Sequence, residues 1–230
     1  LLPTARIARM DLDTTRGKHG HRNIIDAMQG REIDVLVGTQ MVAKGFDFPA
    51  VSLVGVLAAD GLFNLPDFRA SERSYQLLSQ VAGRAGRGSI PGQVIIQTYE
   101  PEHPVLQHIT HHDYSAFYRD EIQDRAQLSY PPFTRLLKVV AWSEERDKAS
   151  KGIAMAMERL DKFMQSQPPN EVEILGPAPC PLFRLRGQYR YGITLKSING
   201  SLLRAAGQYI IEGKKNEARL EVDIDPVNTY

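Results

Sequence analysis

Up to about residue 98, short apolar runs alternate with stretches that repeat their apolar positions every three or four residues. Ala5-Arg6-Ile7-Ala8-Arg9-Met10 reads as a short strand, and His19 to Met28 as a helix with Ile24, Ile25 and Met28 along one stripe. Asp34 to Gly38 and Leu53 to Leu57 are compact apolar runs of the kind that form buried parallel strands. Asp67 to Val81 fits a helix, with Asp67 in the capping zone and Leu77, Leu78 and Val81 on one side, and Gln93 to Gln97 closes the series as a strand. Repeated strand–helix units with short connections predict a parallel sheet covered by helices on both faces.

The pattern then changes. Asp113 to Leu128 has the spacing of an amphipathic helix with Phe117, Ile122 and Leu128 as anchors. Tyr130-Pro131-Pro132-Phe133 ends it, because proline lacks an amide proton and drives its predecessor out of helical backbone. This junction predicts one domain over residues 1–132 and a second over 133–230. The second reads βαββαβ, with strands Leu136 to Trp142, Val172 to Leu175, Tyr191 to Lys196 and Leu220 to Ile224, and helices near Lys148 to Gln165 and Ser201 to Ile211. That order is the ferredoxin-like split βαβ unit. The expected fold class is therefore α/β: a parallel-sheet lobe followed by a small α+β domain.

Composition narrows the picture. The lone cysteine, Cys180, excludes an internal disulfide or a cysteine-rich zinc site within these residues. With no signal-peptide pattern, this points to the cytoplasm. No apolar run approaches the roughly 20 residues a membrane span requires, so no membrane partner is expected. The formal net charge is +1, so a polyanion site must come from local clustering. The chain opens on Leu1-Leu2-Pro3-Thr4 without an initiator methionine, and is expected to be a piece of a longer protein.

Two segments carry candidate chemistry in the first half. In Gln80-Val81-Ala82-Gly83-Arg84-Ala85-Gly86-Arg87-Gly88, two arginines three residues apart share one side of a helical turn, and Gly83 and Gly86 let another surface approach. A planar, permanently charged guanidinium grips phosphate oxygens in bidentate fashion and stabilises charge developing on a γ-phosphate. A solvated basic end near the helix's own C-terminal dipole is the competing account of a bare Arg-x-x-Arg. In Val37 to Pro49, a strand ends at Gly38 and presents Thr39 at the carboxyl edge of the sheet, where ligands of open parallel sheets bind. Thr39 and neighbouring amides can donate to a phosphate. Gly45 permits a tight turn, and Asp47 can accept from a ribose hydroxyl or simply cap a turn.

In the second half, the stretch from Pro179 to Lys215 holds Arg184, Arg186, Arg190, Lys196, Arg204, Lys214 and Lys215 against Glu212 alone, with Phe183, Tyr189 and Tyr191 interleaved. Cations attract phosphates by counterion release, and aromatic rings stack on unpaired bases. Arg184 and Arg186, two apart, project from one face if extended. A solvated loop with half-core aromatics is the alternative. His108, His111 and His112 have no third ligand at metal spacing and read as an exposed helix face. Cys180, between two prolines with no paired base, reads as structural.

Taken together, Q-x-x-G-R-x-G-R resembles motif VI of superfamily 2 helicases, and Gly38-Thr39-Gln40-Met41-Val42-Ala43-Lys44-Gly45-Phe46-Asp47-Phe48-Pro49 resembles motif V. Their order matches a second RecA-like lobe. Met10 to Thr15, Pro66 to Arg73, Tyr130 to Phe133 and the ending Val222-Asp223-Ile224-Asp225-Pro226 are similar to the bacterial replication-restart (primosomal) DNA helicases, the PriA family, over essentially the whole chain. The resemblance implies an ATP-dependent 3′-to-5′ DNA helicase that binds stalled forks and D-loops and restarts replication by primosome assembly. Arg84 and Arg87 would face ATP on the other lobe, and Gln80 would couple nucleotide state to lobe closure. Gly45 and Asp47 would lie at the nucleotide, Thr39, Gln40 and Lys44 on the DNA backbone, and Arg184, Arg186 and Arg190 on DNA.

Implied partners are DNA, single-stranded DNA-binding protein, other primosome proteins and the loader of the replicative helicase. Ala59 precedes Asp60 where the family commonly has an acidic residue, so that segment is given no catalytic role.

The sequence contains no G-x-x-x-x-G-K-[ST] phosphate loop and no acidic motif to hold Mg²⁺. The resemblance places both on the first lobe, and places a zinc-binding cysteine cluster upstream of these residues. ATP and Mg²⁺ are thus expected to be bound mainly elsewhere, no metal is expected in these residues, and this stretch alone is expected to be inactive. Two other readings stay open: another superfamily 2 translocase of the fork-reversal type, and a non-catalytic DNA- or protein-binding module.

Overall fold

The computed structural model describes residues 3–11, 20–39, 48, 50–85, 91–213 and 217–229. It divides into two compact units, one of Leu1–Asn64 and Arg69–Phe117, the other of Leu65–Phe68 and Tyr118–Tyr230. Of the sequence-derived site positions, Gln40, Lys44, Gly45, Asp47 and Arg87 lie outside the described residues, as do Lys214 and Lys215.

The first unit runs β1 (Ile7–Met10), α1 (Gly20–Gln29), β2 (Val35–Gly38), β3 (Leu53–Val56), α2 (Asp60–Phe63), α3 (Ala70–Ala82), β4 (Gln93–Ile96), α4 (Pro104–Thr110) and the first turn of α5 (Tyr114–Gln127). All strand pairing is parallel among the described residues, as expected, with Ile7 opposite Val35 and Leu53 opposite Gln93. An Arg6–Asp34 clasp starts the first pair. The guanidinium donates from Nε to Oδ2 at 2.9 Å and from Nη2 to Oδ1 at 2.8 Å, while the Arg6 backbone N–H donates to Oδ2 at 2.8 Å. Those donors hold the Asp34 carboxyl well below the ordinary carboxylate range.

The continuous two-faced sheet is not what the described residues show. They form two separate parallel pairs, β1–β2 and β3–β4. Ile7, Val37, Leu53 and Ile95, read as strand interior, are 65, 51, 55 and 52% exposed. For Leu53 and Ile95 the reason lies in the pleat: β3 and β4 alternate exposed and half-buried positions, and among the described residues the helical layer packs on the half-buried side. That layer is the core of the unit. Tyr75 and Leu78 of α3 pack with Val105, Leu106 and Ile109 of α4, with Phe63 and Phe117, and against Val56 and Ile96, the last residues of β3 and β4. Tyr75 stacks on Phe117 with centroids 4.3 Å apart. α4 had no periodic signal in the sequence. It is set by its ends: Pro104 occupies its first turn, and the His103 ring accepts from the Val105 N–H.

The second unit contains the rest of α5, then β5 (Arg135–Ser143), α6 (Arg146–Met164), β6 (Glu173–Leu185), β7 (Gln188–Ser197), α7 (Gly200–Ile211) and β8 (Arg219–Ile224). The element order βαββαβ is the one expected, and the strands form one antiparallel sheet in the order β6-β7-β5-β8. α6 and α7 cover one face. Leu137, Val139 and Ala141 of β5 and Ile193 and Leu195 of β7 meet Ile153, Ala156 and Leu160 of α6 and Leu203, Ala206 and Ile210 of α7. Each fully buried leucine or isoleucine there contributes about 1.5–3 kcal/mol. Gly207 lets α7 approach closely, because a Cβ at that position would lie 2.8 Å from Leu137 Cδ1 and 3.0 Å from Val222 Cγ1.

The opposite face is covered too, which the alternation does not announce. Leu136, Lys138 and Val140 on that side of β5 are all buried. The chain end closes over them: Pro226 is fully buried, the Lys138 ammonium donates to the Thr229 carbonyl, and the Thr229 N–H donates to Asp67 Oδ2 at 3.0 Å. Phe68 stacks on Tyr130 at 4.9 Å with the Arg125 guanidinium 5.1 Å from the Phe68 ring centre. Of the anchors expected on α5, Phe117 is buried but Leu128 is 60% exposed. Leu128 lies just past the helix end, and its carbonyl, not its side chain, is the group in use, accepting from Lys196.

Candidate functional site

On the first unit, Thr39 is exposed just beyond Gly38, the last residue of parallel β2. Gln80 is exposed on the last turn of α3, and Arg84 follows the C-cap glycine, Gly83, whose N–H donates to Ser79 and Val81. The Arg84 N–H closes a turn onto the Val81 carbonyl at 3.0 Å, and its side chain is half-buried with Nε out of solvent. The helix delivering Gln80 and Arg84 is fixed through Tyr75 and Leu78 to the cluster at the carboxyl ends of β3 and β4. Asp60 is already committed. It accepts from Thr98 Oγ1 at 2.7 Å and from the Tyr99 N–H at 2.9 Å, chiefly the first of which depresses its pKa. Its role is to hold the exit of β4.

On the second unit, the basic residues that look continuous in sequence separate into distinct places. Arg184, Arg186 and Arg204 are exposed, whereas Arg190 and Lys196 are each only 5% exposed. Arg190 lies over Trp142, its directly paired neighbour on β5, at 4.4 Å from the ring, and donates to the Leu182 carbonyl at 3.3 Å. The expected surface DNA contact from Arg190 therefore has no exposed guanidinium to make it. Period two puts the side chain on the sheet face that the chain end covers. Arg204 lines a separate groove with Gln208, Ile211 and Val222 between α7 and β8. The one-face argument for Arg184 and Arg186 fails as well. Arg186 and Gly187, at φ +51° and +84°, form the two-residue turn between the paired Leu185 and Gln188, so Arg186 is at a tip and not on a strand.

What remains exposed is an aromatic and cationic end of the β6–β7 hairpin. The ladder is regular at Pro179–Tyr191 and again at Arg184–Tyr189, and the β6 residues between them bulge. The bulge folds Phe183 against both tyrosines, with centroids 5.4 Å from Tyr189 and 5.3 Å from Tyr191, the latter edge-on. Arg184 lies over Tyr189 at 5.3 Å, and Arg146, from the first turn of α6, lies over Phe183 at 5.6 Å. The Arg146 Nε donates to the Tyr191 hydroxyl at 3.3 Å, which raises the arginine's pKa further. Arg146 was not among the sequence candidates. Its neighbours Glu145 and Asp147 make it look like one charge of a mixed helix start, and only packing brings it to the hairpin.

Comparison with known proteins bears on both units. Residues 4–89 match the helicase conserved C-terminal domain, and residues 126–227 match the primosomal protein N C-terminal domain. The replication restart proteins PriA of Bacillus subtilis and Synechocystis are each 42% identical, over 98% of this chain and 28% and 27% of their own length. That of Treponema pallidum is 42% identical over 99% of this chain and 34% of its own. The chain belongs to the PriA family. It spans about three tenths of the length of these PriA relatives. Gln80 and Arg84 fall in the helicase domain of the family, and the hairpin cluster in the PriA C-terminal domain. Among solved structures, the designed protein Foldit4 gives a TM-score of 0.29 at 12% identity, covering 40% of this chain and 94% of its own, too slight a likeness to bear on the fold.

The remaining candidates are accounted for by packing. Cys180 is buried, with burial pushing its thiol pKa up and its Sγ filling the space beside Gly192. His108 meets Phe117 edge-on at 6.0 Å, and the His111 ring is 2.7 Å from the Gln107 carbonyl. Among the described residues no group of three or more His, Cys, Asp or Glu could hold a metal ion, and no helix is long and apolar enough to cross a membrane.

Proposed function

We propose that this chain supplies the second, RecA-like lobe and a ferredoxin-like C-terminal domain to an ATP-dependent, 3′-to-5′ DNA helicase of replication restart. The observation that carries the reading is family membership across both units together with the setting of Arg84. The half-buried arginine lies two residues past a helix anchored at the carboxyl ends of two parallel strands, the rim where phosphate-bearing ligands of such sheets bind. In this reading ATP and Mg²⁺ are held chiefly by the first lobe, Arg84 and Arg87 reach the γ-phosphate across a cleft, and Gln80 reports on its presence. Gly45 and Asp47 border the nucleotide, and Thr39, Gln40 and Lys44 hold the DNA backbone. Thr39 at the end of β2 suits that task, because an exposed hydroxyl beyond a strand terminus donates to phosphate without a charge.

The exposed Arg184 and Arg186 extend the DNA contact onto the second unit. The wider assignments are proposed on family grounds: forks and D-loops as substrates, single-stranded DNA-binding protein, primosome proteins and the helicase loader as partners, zinc held by other parts of the protein, and a cytoplasmic location.

The test is Arg87→Ala, with Arg84→Ala beside it, in the full-length protein. DNA-stimulated ATP hydrolysis should fall about 10³-fold or more while DNA binding persists. Hydrolysis at the parent rate in both variants would instead support a binding module. A second pair, Arg184→Ala with Arg186→Ala, should weaken fork binding and flatten its dependence on salt, since fewer counterions are released.

A further inference from the structure

The aromatic rings at the hairpin end are expected, from sequence, to be the surfaces on which bases stack. Two of the three rings already carry a guanidinium. Arg146 covers Phe183 at 5.6 Å, Arg184 covers Tyr189 at 5.3 Å, and Phe183 itself packs on Tyr189 and Tyr191. A base arriving there meets guanidinium planes backed by rings. We propose that Arg146 and Arg184 form a pre-stacked guanidinium ledge that takes unpaired nucleotides of single-stranded DNA in preference to duplex. This rests on reading the hairpin end as a DNA contact.

Three observations support the ledge. Both arginines are exposed, and neither makes an ion pair with a carboxylate among the described residues. Glu145, next to Arg146, is engaged by Lys148 at 2.6 Å instead. Second, the guanidinium groups are positioned before any ligand arrives, Arg146 by its bond to the Tyr191 hydroxyl and Arg184 by its contact with the Tyr189 ring. Less rotamer freedom is then lost on binding. Third, a guanidinium resting on a ring keeps one face and its outer N–H groups open, so one group can both stack on a base and donate to a phosphate. Paired bases inside a duplex offer no free face, and stacked single-strand contacts are sequence-tolerant for the same reason that every base has a π-face.

The experiment measures affinity of the purified protein for a labelled oligothymidine and for a blunt duplex of equal length, by anisotropy. Arg146→Ala should weaken oligothymidine binding roughly five- to fifty-fold, with a much smaller effect on duplex. Arg146→Lys keeps the charge but not the plane and should not restore it. Recovery by lysine, or equal losses on both DNAs, overturns the ledge. If Arg184→Ala with Arg186→Ala weakens all DNA binding while Arg146→Ala changes nothing, the ledge fails and the wider DNA contact stands. If none of these variants changes either affinity, both fail. Should Arg146→Ala lower the melting temperature, Arg146→Lys and Arg184→Lys carry the test.

Discussion

The Lys196 ammonium sits 4.0 Å from the centre of the Tyr130 ring and donates to the Leu128 carbonyl at 3.0 Å. A lysine that reads as one of a basic run is thus an internal fastener between β7 and the turn after α5. Replacing it with Met removes the cation–π contact and the hydrogen bond and should cost about 1–3 kcal/mol. Urea denaturation measures this, and affinity for DNA should stay within twofold of the parent. A stable variant with weakened DNA binding would reverse the assignment.

Gly207 is the point of closest approach between α7 and the sheet. Gly207→Ala should gain helix propensity and still lose stability. The added methyl meets Leu137 and Val222 at 3.0 Å or less inside a packed core, and overpacking of this kind costs about 1–3 kcal/mol. A raised melting temperature would show that the core relaxes more freely than its geometry implies.

The Asp225 carboxylate accepts from Arg135 Nε at 2.9 Å and weakly from the Leu136 N–H at 3.3 Å, and the arginine contact, chiefly, lowers its pKa below the ordinary 3.8. Between the two values the unfolded chain binds the proton better. The stability from this pair is therefore fully present above the unfolded value and lost as pH falls through the lower folded one. Asp225→Asn should flatten the acid limb of the stability profile, read by denaturant titration at a series of acidic pH values. An unchanged acid limb would mean that the pair contributes nothing through protonation.

Cys180 is buried, and burial raises its thiol pKa. The native protein should therefore resist thiol reagents at neutral pH and react at the full rate only when denatured. Rapid labelling of the folded protein would show that the hairpin bulge opens.

Much of the architecture is legible in the sequence. The βαββαβ order of the second unit, the parallel pairing of the first and the stop at Tyr130-Pro131-Pro132-Phe133 follow from periodicity and backbone chemistry, which are local properties. The long β6 is only half legible, because prolines and a bulge interrupt its alternation past Leu175. α4 carries no sequence signal, because one seven-residue helix with a histidine cap leaves too few turns for a period to show.

The sequence on its own determined which residue types were present, a superfamily 2 motif through Gln80, Arg84 and Arg87, and the family resemblance through Met10 to Thr15, Pro66 to Arg73, Tyr130 to Phe133 and Val222 to Pro226. The three-dimensional packing alone decided which of the cations face water. Lys196 and Arg190 are 5% exposed while Arg184 and Arg186 are exposed, although all four stand in one basic stretch. The physical reason is that exposure depends on what covers a sheet face. Here the cover comes from residues 65–68, 128–130 and 226–229, distant along the chain and carrying no periodic sign of where they will lie.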